Sequence, residues 1–195
     1  MVDLARVRAA LAAARADRPP AAVPPGSRAA AVLIPLFEED GEARVILTRR
    51  AATLSAHQGE MSFPGGTLGP REDELAAALR EAEEEIGLPP AAVEVAGRLD
   101  RLVTATTGFV LTPFVGILDA RPRLELRADE VEEAYDVPLS RLLDESVFRE
   151  ERWDGPAPDR PIYFFELEHD TVWGATARIL YTLLELVTAR SRRGM

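Results

Sequence analysis

The segment Leu79–Leu88, with the sequence LREAEEEIGL, constrains this 195-residue chain more than any other. It places four glutamates within five positions: Glu81, Glu83, Glu84 and Glu85. Residues 72–86 have the clearest helical pattern in the chain, and Gly87, followed by two prolines, predicts the end of that helix. Like charges at helical spacing repel one another. Their concentration here therefore calls for a physical reason.

Helical geometry predicts which of these glutamates lie together. Each residue of an α-helix turns by about 100°. Four apolar residues fall within about 60° of one another and predict the buried stripe of the helix: Leu75, Leu79, Ala82 and Ile86. On roughly the opposite side, at spacings i, i+3 and i+4, three carboxylates converge: Glu81, Glu84 and Glu85. Glu83 points elsewhere.

An acidic helix face is most often simply solvated, and that is the alternative interpretation. Two features favour a bound divalent cation. A solvated face usually interleaves opposite charges, whereas the converging positions here are all acidic. The glutamates also lie in the C-terminal half of the helix, where the helix dipole disfavours negative charge. Because only oxygen ligands are close by in sequence and the chain has no cysteine, we expect Mg²⁺ or Mn²⁺.

A loop rich in glycine and proline, FPGGTLGP, leads into this helix. Gly65 and Gly66 allow backbone conformations that other residues cannot adopt, and they let the chain approach a ligand or metal closely. A metal that bridges phosphate oxygens beside such a loop is typical of a phosphoryl or pyrophosphate site.

The rest of the pattern predicts a mixed sheet with helices on its faces. Residues 29–36 and 43–50 have the pattern of a hairpin around the turn EEDGE, while 62–70 have that of an ordered loop. Strand-like segments follow the central helix, and a long amphipathic helix at 175–190 closes the chain.

The N-terminal residues have a different composition. The first 18 residues predict a short amphipathic helix, which a proline-rich stretch then interrupts. We therefore expect an N-terminal helix and linker at 1–28, followed by one domain at 29–190.

The charge of the chain excludes some functions. A net charge of −10 argues against broad nucleic-acid binding, which needs a basic face. All 23 basic residues are arginine, so a lysine nucleophile is excluded. No apolar run is long enough to span a bilayer and no signal peptide is visible. We expect a cytoplasmic protein with a small-molecule partner; the sequence predicts no oligomeric state.

From Gly66 to Leu88 the sequence resembles the signature of the Nudix hydrolases, G-x5-E-x7-R-E-U-x-E-E-x-G-U, where U is a bulky apolar residue. The fixed positions all match, from Gly66 through Glu72 to Arg80 and the acidic segment after it. Ala82 is the one departure, because it is small where the pattern has a bulky residue.

Residues 47–66, LTRRAATLSAHQGEMSFPGG, resemble the segment that marks the coenzyme A pyrophosphatase branch of this family. Three positions depart from that segment: Ala51, Ser55 and Met61. The departure at Ser55 matters most, because the usual arginine there could contact a substrate phosphate. The resemblance to this branch covers about residues 30–184 and leaves the N-terminal helix outside.

The resemblance implies an α/β/α sandwich around a mixed sheet. It also implies hydrolysis of the diphosphate of coenzyme A or a thioester of it, giving 3′,5′-ADP and 4′-phosphopantetheine or its acyl form. Three alternatives stay open. One is the same chemistry on another substrate, such as ADP-ribose or NADH. The second is an inactive nucleotide-binding domain that regulates a partner, and the third is a simple acidic interaction helix.

Site residues follow from the motif and from the helix geometry together. Glu81, Glu84 and Glu85 are expected to hold Mg²⁺ or Mn²⁺, and the carbonyl of Gly66 is a further candidate ligand. Arg80 is expected to project away from this cluster and to pair with Glu72.

Proton transfer and substrate binding involve further residues. A glutamate of the cluster, or Glu130 or Glu133 from a later segment, could accept a proton, and the sequence does not choose among them. Gly65, Gly66 and one of two arginines are candidates for substrate binding. These arginines, Arg49 and Arg50, end a strand on opposite faces, where one could hold a phosphate.

Overall fold

The computed structural model describes residues 1–14, 26–52, 58–104, 108–152, 161–168 and 170–188. Its helices are α1 (Leu4–Ala14), α2 (Glu74–Ile86), α3 (Leu139–Leu142) and α4 (Gly174–Thr188), with one 3-10 turn at Pro90–Ala92. Its strands are β1 (Arg28–Glu39), β2 (Glu42–Arg50), β3 (Met61–Ser62), β4 (Gly65–Thr67), β5 (Glu94–Arg98), β6 (Leu102–Val103), β7 (Phe109–Ile117), β8 (Val131–Pro138), β9 (Phe148–Glu151), β10 (Ile162–Glu166) and β11 (Thr171–Trp173). No helix within these residues is long and apolar enough to cross a membrane.

Strands β1 to β8 form one mixed sheet, whose main path has the order β3-β2-β1-β7-β5. Strands β4, β6 and β8 pair with β1, β7 and β2, respectively. The central pair, β1 and β7, is parallel, whereas the pairs of β1 with β2 and of β2 with β8 are antiparallel. A second, antiparallel sheet has the order β11-β10-β9. The predicted mixed sheet is confirmed.

Apolar side chains alternate along β1 between two hydrophobic clusters. Leu33 and Phe37 belong to the cluster under α2, whereas Ile34 and Leu36 belong to the cluster that includes α1 and α4. All four side chains are fully buried. Consecutive side chains of a strand point to opposite faces, so a continuous apolar run suits a strand that is covered on both sides. This arrangement is the predicted layering of helices around a sheet.

The predicted hairpin is confirmed, and its turn explains the register. Asp40 and Gly41 both have positive φ, at 53° and 75°. Two-residue turns of this kind match the twist of the strands that they join, and Asp-Gly is a preferred sequence for them. The register accordingly closes on the pair Glu39 and Glu42.

Part of the predicted loop at 62–70 is a strand instead. β4 pairs with the first half of β1, with Gly66 opposite Ala31. Gly65 makes this pairing possible, because a Cβ atom there would lie 2.7 Å from the Cα atom of Val32. No real side chain tolerates that contact. The glycines therefore bring the backbone against the sheet and under α2.

The α1 helix packs into the core rather than extending away from it. Val7 and Leu11 are buried, in the same hydrophobic cluster as α4. The Arg6 side chain donates to the carbonyl of Val187 at 2.7 Å, and the backbone N–H of Ala43 donates to the carbonyl of Val2 at 2.7 Å. Residues 15–25 lie outside the described residues, and the domain division at residue 28 stays a prediction.

Replacement of Leu11 by alanine tests this packing. The side chain is 2% exposed, so its loss leaves a cavity and should lower the free energy of unfolding by about 2–4 kcal/mol. Arg8→Ala is the control on the same helix, because its ion pair with Glu94 is exposed and should contribute less than about 1 kcal/mol. Urea unfolding of both variants measures the difference. Equal, small effects would contradict the docking of α1.

Candidate active site

Caps at both ends fix the position of α2. The Asp73 side chain accepts a hydrogen bond from the backbone N–H of Ala76 at 2.8 Å, as expected of an N-cap residue. At the other end Gly87 has a φ of 68°, and the N–H of Leu88 donates to the carbonyl of Ala82. The predicted helix is thus confirmed, with a start two residues later than predicted. Glu72 lies before the cap.

The buried face of α2 differs from the predicted stripe. Its most buried positions are Ala77, Ala78, Ala82, Glu85 and Ile86. Leu75 and Leu79 are only partly buried, and they pack at the edge of the cluster under the helix. Three alanines let the helix lie close to the sheet, so the helix buries Glu85 as well. That side chain is 3% exposed, which contradicts its predicted place opposite the buried stripe.

Three carboxylates meet beside this buried position: Glu81, Glu85 and Glu130, each offering an oxygen within 4.8 Å of the others. Glu84, which was predicted to converge with the first two, is not part of this group. Its side chain is 45% exposed and binds Arg80 at 3.1 Å. A role for Glu84 in metal binding stays a prediction.

Backbone hydrogen bonds bring Glu130 to the group from a distant part of the chain. The N–H groups of Glu125 and Arg127 donate to the carbonyls of Ile86 and Glu85, each at 2.9 Å. The carbonyl of Glu130 in turn accepts a hydrogen bond from the N–H of Ala51 at 2.9 Å. Sequence reasoning named Glu130 only as one possible proton acceptor. No sequence pattern marks these long-range contacts.

The environment of Glu85 favours its protonated form. Burial raises the pKa of Glu85 to about 7, and the nearby charges of Glu81 and Glu130 act in the same direction. A hydrogen bond from the backbone N–H of Gly65 and the charge of Arg50 oppose this shift. Burial also raises the pKa of Glu81. Full ionisation of these groups is therefore unfavourable by itself, and a divalent cation bound by carboxylate oxygens would stabilise their ionised forms.

Arg80 contacts the acidic residues on both of its sides. Its guanidinium binds Glu72 at 2.8 Å, as predicted, but it also binds Glu81 at 2.9 Å. The prediction that Arg80 projects away from the cluster is therefore wrong. Its ion pair and a hydrogen bond from the N–H of Gly69 lower the pKa of Glu72 to about 2. Arg80 thus joins the loop before α2 to the first carboxylate of the cluster.

Gly66 lies directly against the Glu81 carboxylate. A Cβ atom at this position would be 2.5 Å from the carboxyl carbon of Glu81. Only glycine therefore lets the loop backbone and this carboxylate approach each other. The approach is compatible with the predicted ligand role of the Gly66 carbonyl, which stays a prediction.

Arg49 and Arg50 have different surroundings, as their predicted opposite faces imply. Arg49 forms an ion pair with Glu133, lies 3.7 Å from Asp170 and has its guanidinium over the ring of Tyr135. Burial and a hydrogen bond to Glu133 raise the pKa of Tyr135 to about 12. The charge of Arg50 instead favours the ionised form of Glu85, whereas the buried Nε atoms of both arginines have no hydrogen-bond partner in the described part of the chain. Only Arg50 therefore lies on the side of the carboxylates.

The departure from the coenzyme A segment at Ser55 lies outside the described residues. Its contribution to substrate binding stays open. Ala51, the neighbouring departure, is buried, so its small side chain contributes to packing.

Comparison with known proteins identifies the family. The model of the NUDIX domain matches residues 27–160. An uncharacterized Nudix hydrolase NudL from Photorhabdus laumondii is 36% identical over 170 residues, which cover 87% of this chain and 90% of that protein. Nudix hydrolase 22, chloroplastic, from Arabidopsis thaliana is 40% identical over 169 residues, which cover 83% of this chain and 56% of that protein.

Solved structures agree on the fold. A MutT/nudix family protein from Enterococcus faecalis has a TM-score of 0.59 at 17% identity, covering 92% of this chain and 68% of that chain. An Ap4A hydrolase from C. elegans has a TM-score of 0.51 at 20% identity, covering 60% of this chain and 83% of that chain. The chain belongs to the Nudix family. It is a hydrolase that acts on a nucleoside diphosphate derivative, in a family that generally uses divalent metal ions.

The pH dependence of stability tests the burial of Glu85. Its pKa of about 7, against an ordinary 4.5, means that the folded protein keeps a proton that the unfolded chain releases. The contribution of Glu85 to stability should therefore fall as pH rises from 4.5 to 7, by up to about 3 kcal/mol. Without metal, Glu85→Gln should lose this part of the pH dependence and be more stable than the parent at pH 8.

Urea unfolding at pH 5 and pH 8, with chelator present, measures this effect. Glu83→Gln is the matched control, because Glu83 is an exposed glutamate of the same helix. The free energy of unfolding of this variant should change with pH as that of the parent protein does. If Glu85→Gln also followed the parent, Glu85 would not be buried as the structure has it.

Proposed function

We propose that this chain hydrolyses the diphosphate of coenzyme A or its thioesters, and that it releases 3′,5′-ADP and 4′-phosphopantetheine or its acyl form. The main support for metal-dependent hydrolysis is the group of Glu81, Glu85 and Glu130 beside the glycines of β4. The substrate follows from the resemblance of residues 47–66 to the coenzyme A pyrophosphatase segment. A cytoplasmic location belongs to the same proposal.

The proposed cation is Mg²⁺ or Mn²⁺. When bound, such an ion polarises a diphosphate and lowers the pKa of a bound water. Glu81 and Glu85 are its proposed ligands, with the Gly66 carbonyl as a further one. Glu84 belongs to the proposed set through its place in the motif, although its carboxylate is bound to Arg80.

Glu130 is the proposed acceptor of the proton from the attacking water. Its carboxylate lies in the group with Glu81 and Glu85, and at 31% exposure it is more open to solvent than Glu85. Glu133, the other candidate from this segment, is engaged by Arg49 and Tyr135. A proton acceptor must lie within hydrogen-bond reach of the water that it deprotonates, which favours Glu130.

Substrate phosphates are the proposed partners of Arg50. Its charge favours the ionised form of Glu85, so its guanidinium lies near enough to the cluster to bind an anion there. Arg49 is the second candidate. It would have to exchange its ion pair with Glu133 for the substrate, so we expect it to contribute less.

Product analysis tests the substrate. Purified protein is mixed with coenzyme A and Mg²⁺ or Mn²⁺, and the products are separated by chromatography. We expect 3′,5′-ADP, and we expect a chelator to abolish it. No product with either metal would contradict the proposed substrate.

The departures at Ala51 and Ser55 leave one other substrate class open, represented by ADP-ribose and NADH. Side-by-side rates on coenzyme A, ADP-ribose and NADH discriminate between them, and equal or higher rates on the last two would shift the proposal. Binding of metal and nucleotide without turnover of any of these would indicate an inactive regulatory domain.

Three single substitutions on α2 test the role of the carboxylates. Glu81→Gln and Glu85→Gln should each lower kcat by at least about 100-fold, because each removes a ligand of the proposed cation. Glu83→Gln should keep a nearly normal rate, since Glu83 is exposed and lies outside the group. Steady-state kinetics on the best substrate measure all three. Similar losses at positions 83 and 85 would be incompatible with this geometry.

A further inference from the structure

The carboxylate of Glu130 has a cationic neighbour in addition to its place in the acidic group. Arg127 Nη1 lies 3.2 Å from Glu130 Oε1, and Arg127 Nε donates to Asp129 at 3.1 Å. The Arg127 side chain is 48% exposed, so this ion pair lies at the surface. Glu130 can therefore be bound by a guanidinium from one side and by a divalent cation at the acidic group.

The main chain holds Arg127 in this place independently of its side chain. Its N–H donates to the carbonyl of Glu85, and its own carbonyl accepts hydrogen bonds from the N–H groups of Glu130 and Val131 at 2.9 and 2.8 Å. Any residue except proline can make these bonds at position 127. Substitution of the side chain therefore removes the guanidinium and leaves the path of the loop intact.

Arg80 also contacts the acidic group, but its situation differs. Besides Glu81 it binds Glu72 and the carbonyl of Thr67, so it holds the loop before α2. The ion pairs found for Arg127 are with Asp129 and Glu130, both on its own loop. Its side chain therefore has no comparable part in joining segments of the fold.

We propose that Arg127 competes with the divalent cation for Glu130. The proposal rests on the proposed function, because it takes the acidic group as a cation site. With Arg127 present, the cation is held mainly by Glu81 and Glu85, and Glu130 stays available for proton transfer. Without Arg127, the freed carboxylate of Glu130 joins the ligands. Cation binding then tightens while turnover slows, whereas a purely structural role would weaken both.

The affinity for Mn²⁺ alone tests this competition. Dissociation constants are measured by electron paramagnetic resonance at about 0.1 M salt, so that long-range charge effects are screened. Arg127→Ala should bind Mn²⁺ about three- to fivefold more tightly, the upper part of the range for loss of an exposed ion pair. Arg141→Ala is the matched control, because Arg141 forms a similar i, i+3 pair with Asp144, with 40% exposure, on α3. It should change the constant less than about 1.5-fold.

Measurements in the Glu130→Gln variant separate competition for Glu130 from simple charge repulsion between Arg127 and the cation. If Arg127 acts through Glu130, the gain in Mn²⁺ affinity from Arg127→Ala should fall below about 1.5-fold when Glu130→Gln is already present. An equal gain in both backgrounds would overturn the proposal, because it would show charge repulsion alone. Unchanged or weaker binding in the single variant would also overturn it. Thermal unfolding of every variant verifies that the fold is retained.

The same experiment distinguishes the inference from the proposed substrate. The expected affinity changes together with no hydrolysis of coenzyme A would support the competition and contradict the substrate. Failure of the parent protein to bind Mn²⁺ would overturn both the competition and the proposed cation site. Where a substrate is turned over, Arg127→Ala should lower kcat, and an unchanged kcat with tighter binding would overturn the part of the proposal that reserves Glu130 for proton transfer.

Discussion

Burial of the Glu85 carboxylate between α2 and the main sheet is the constraint on which the site depends. A carboxylate in such a place is unfavourable unless something stabilises its charge, and here it also lies beside two other acids at the C-terminal end of a helix. The fold supplies one hydrogen bond from Gly65 and the charge of Arg50. The remaining imbalance is the reason why we propose the group as a cation site.

The arrangement of the surrounding chain follows from that constraint. Short alanine side chains let α2 lie close enough to the sheet to bury Glu85, and the absence of a side chain at Gly66 leaves room for Glu81. The loop that delivers Glu130 is attached to the end of α2 and to Ala51 by backbone hydrogen bonds. The main chain thus sets the distances between the carboxylates, while the side chains supply the chemistry. Substitutions of these side chains can change charge without moving the segments that carry them.

Sequence reasoning succeeded where the determinants are local. The helix period and Gly87 predicted the bounds of α2 to within two residues, and the segment around the Asp-Gly turn predicted the first hairpin. It failed where contacts between distant segments decide. The pattern of α2 placed Glu84 with the cluster because spacing alone cannot reveal that this side chain stays exposed, and it placed Glu85 on the wrong face because alanines do not stand out as a packing surface. Glu130 reaches the group of carboxylates from a loop more than 40 residues beyond the helix, and no motif marks that contact.

The location of a bound ion is the most direct test of the account. Crystals grown with Mn²⁺ and measured for anomalous scattering would show where the ion lies without any assumption about the substrate. We expect a peak at coordination distance, roughly 2 Å, from oxygens of both Glu81 and Glu85. A peak bound only by exposed glutamates such as Glu83, or no peak at saturating Mn²⁺, would contradict it.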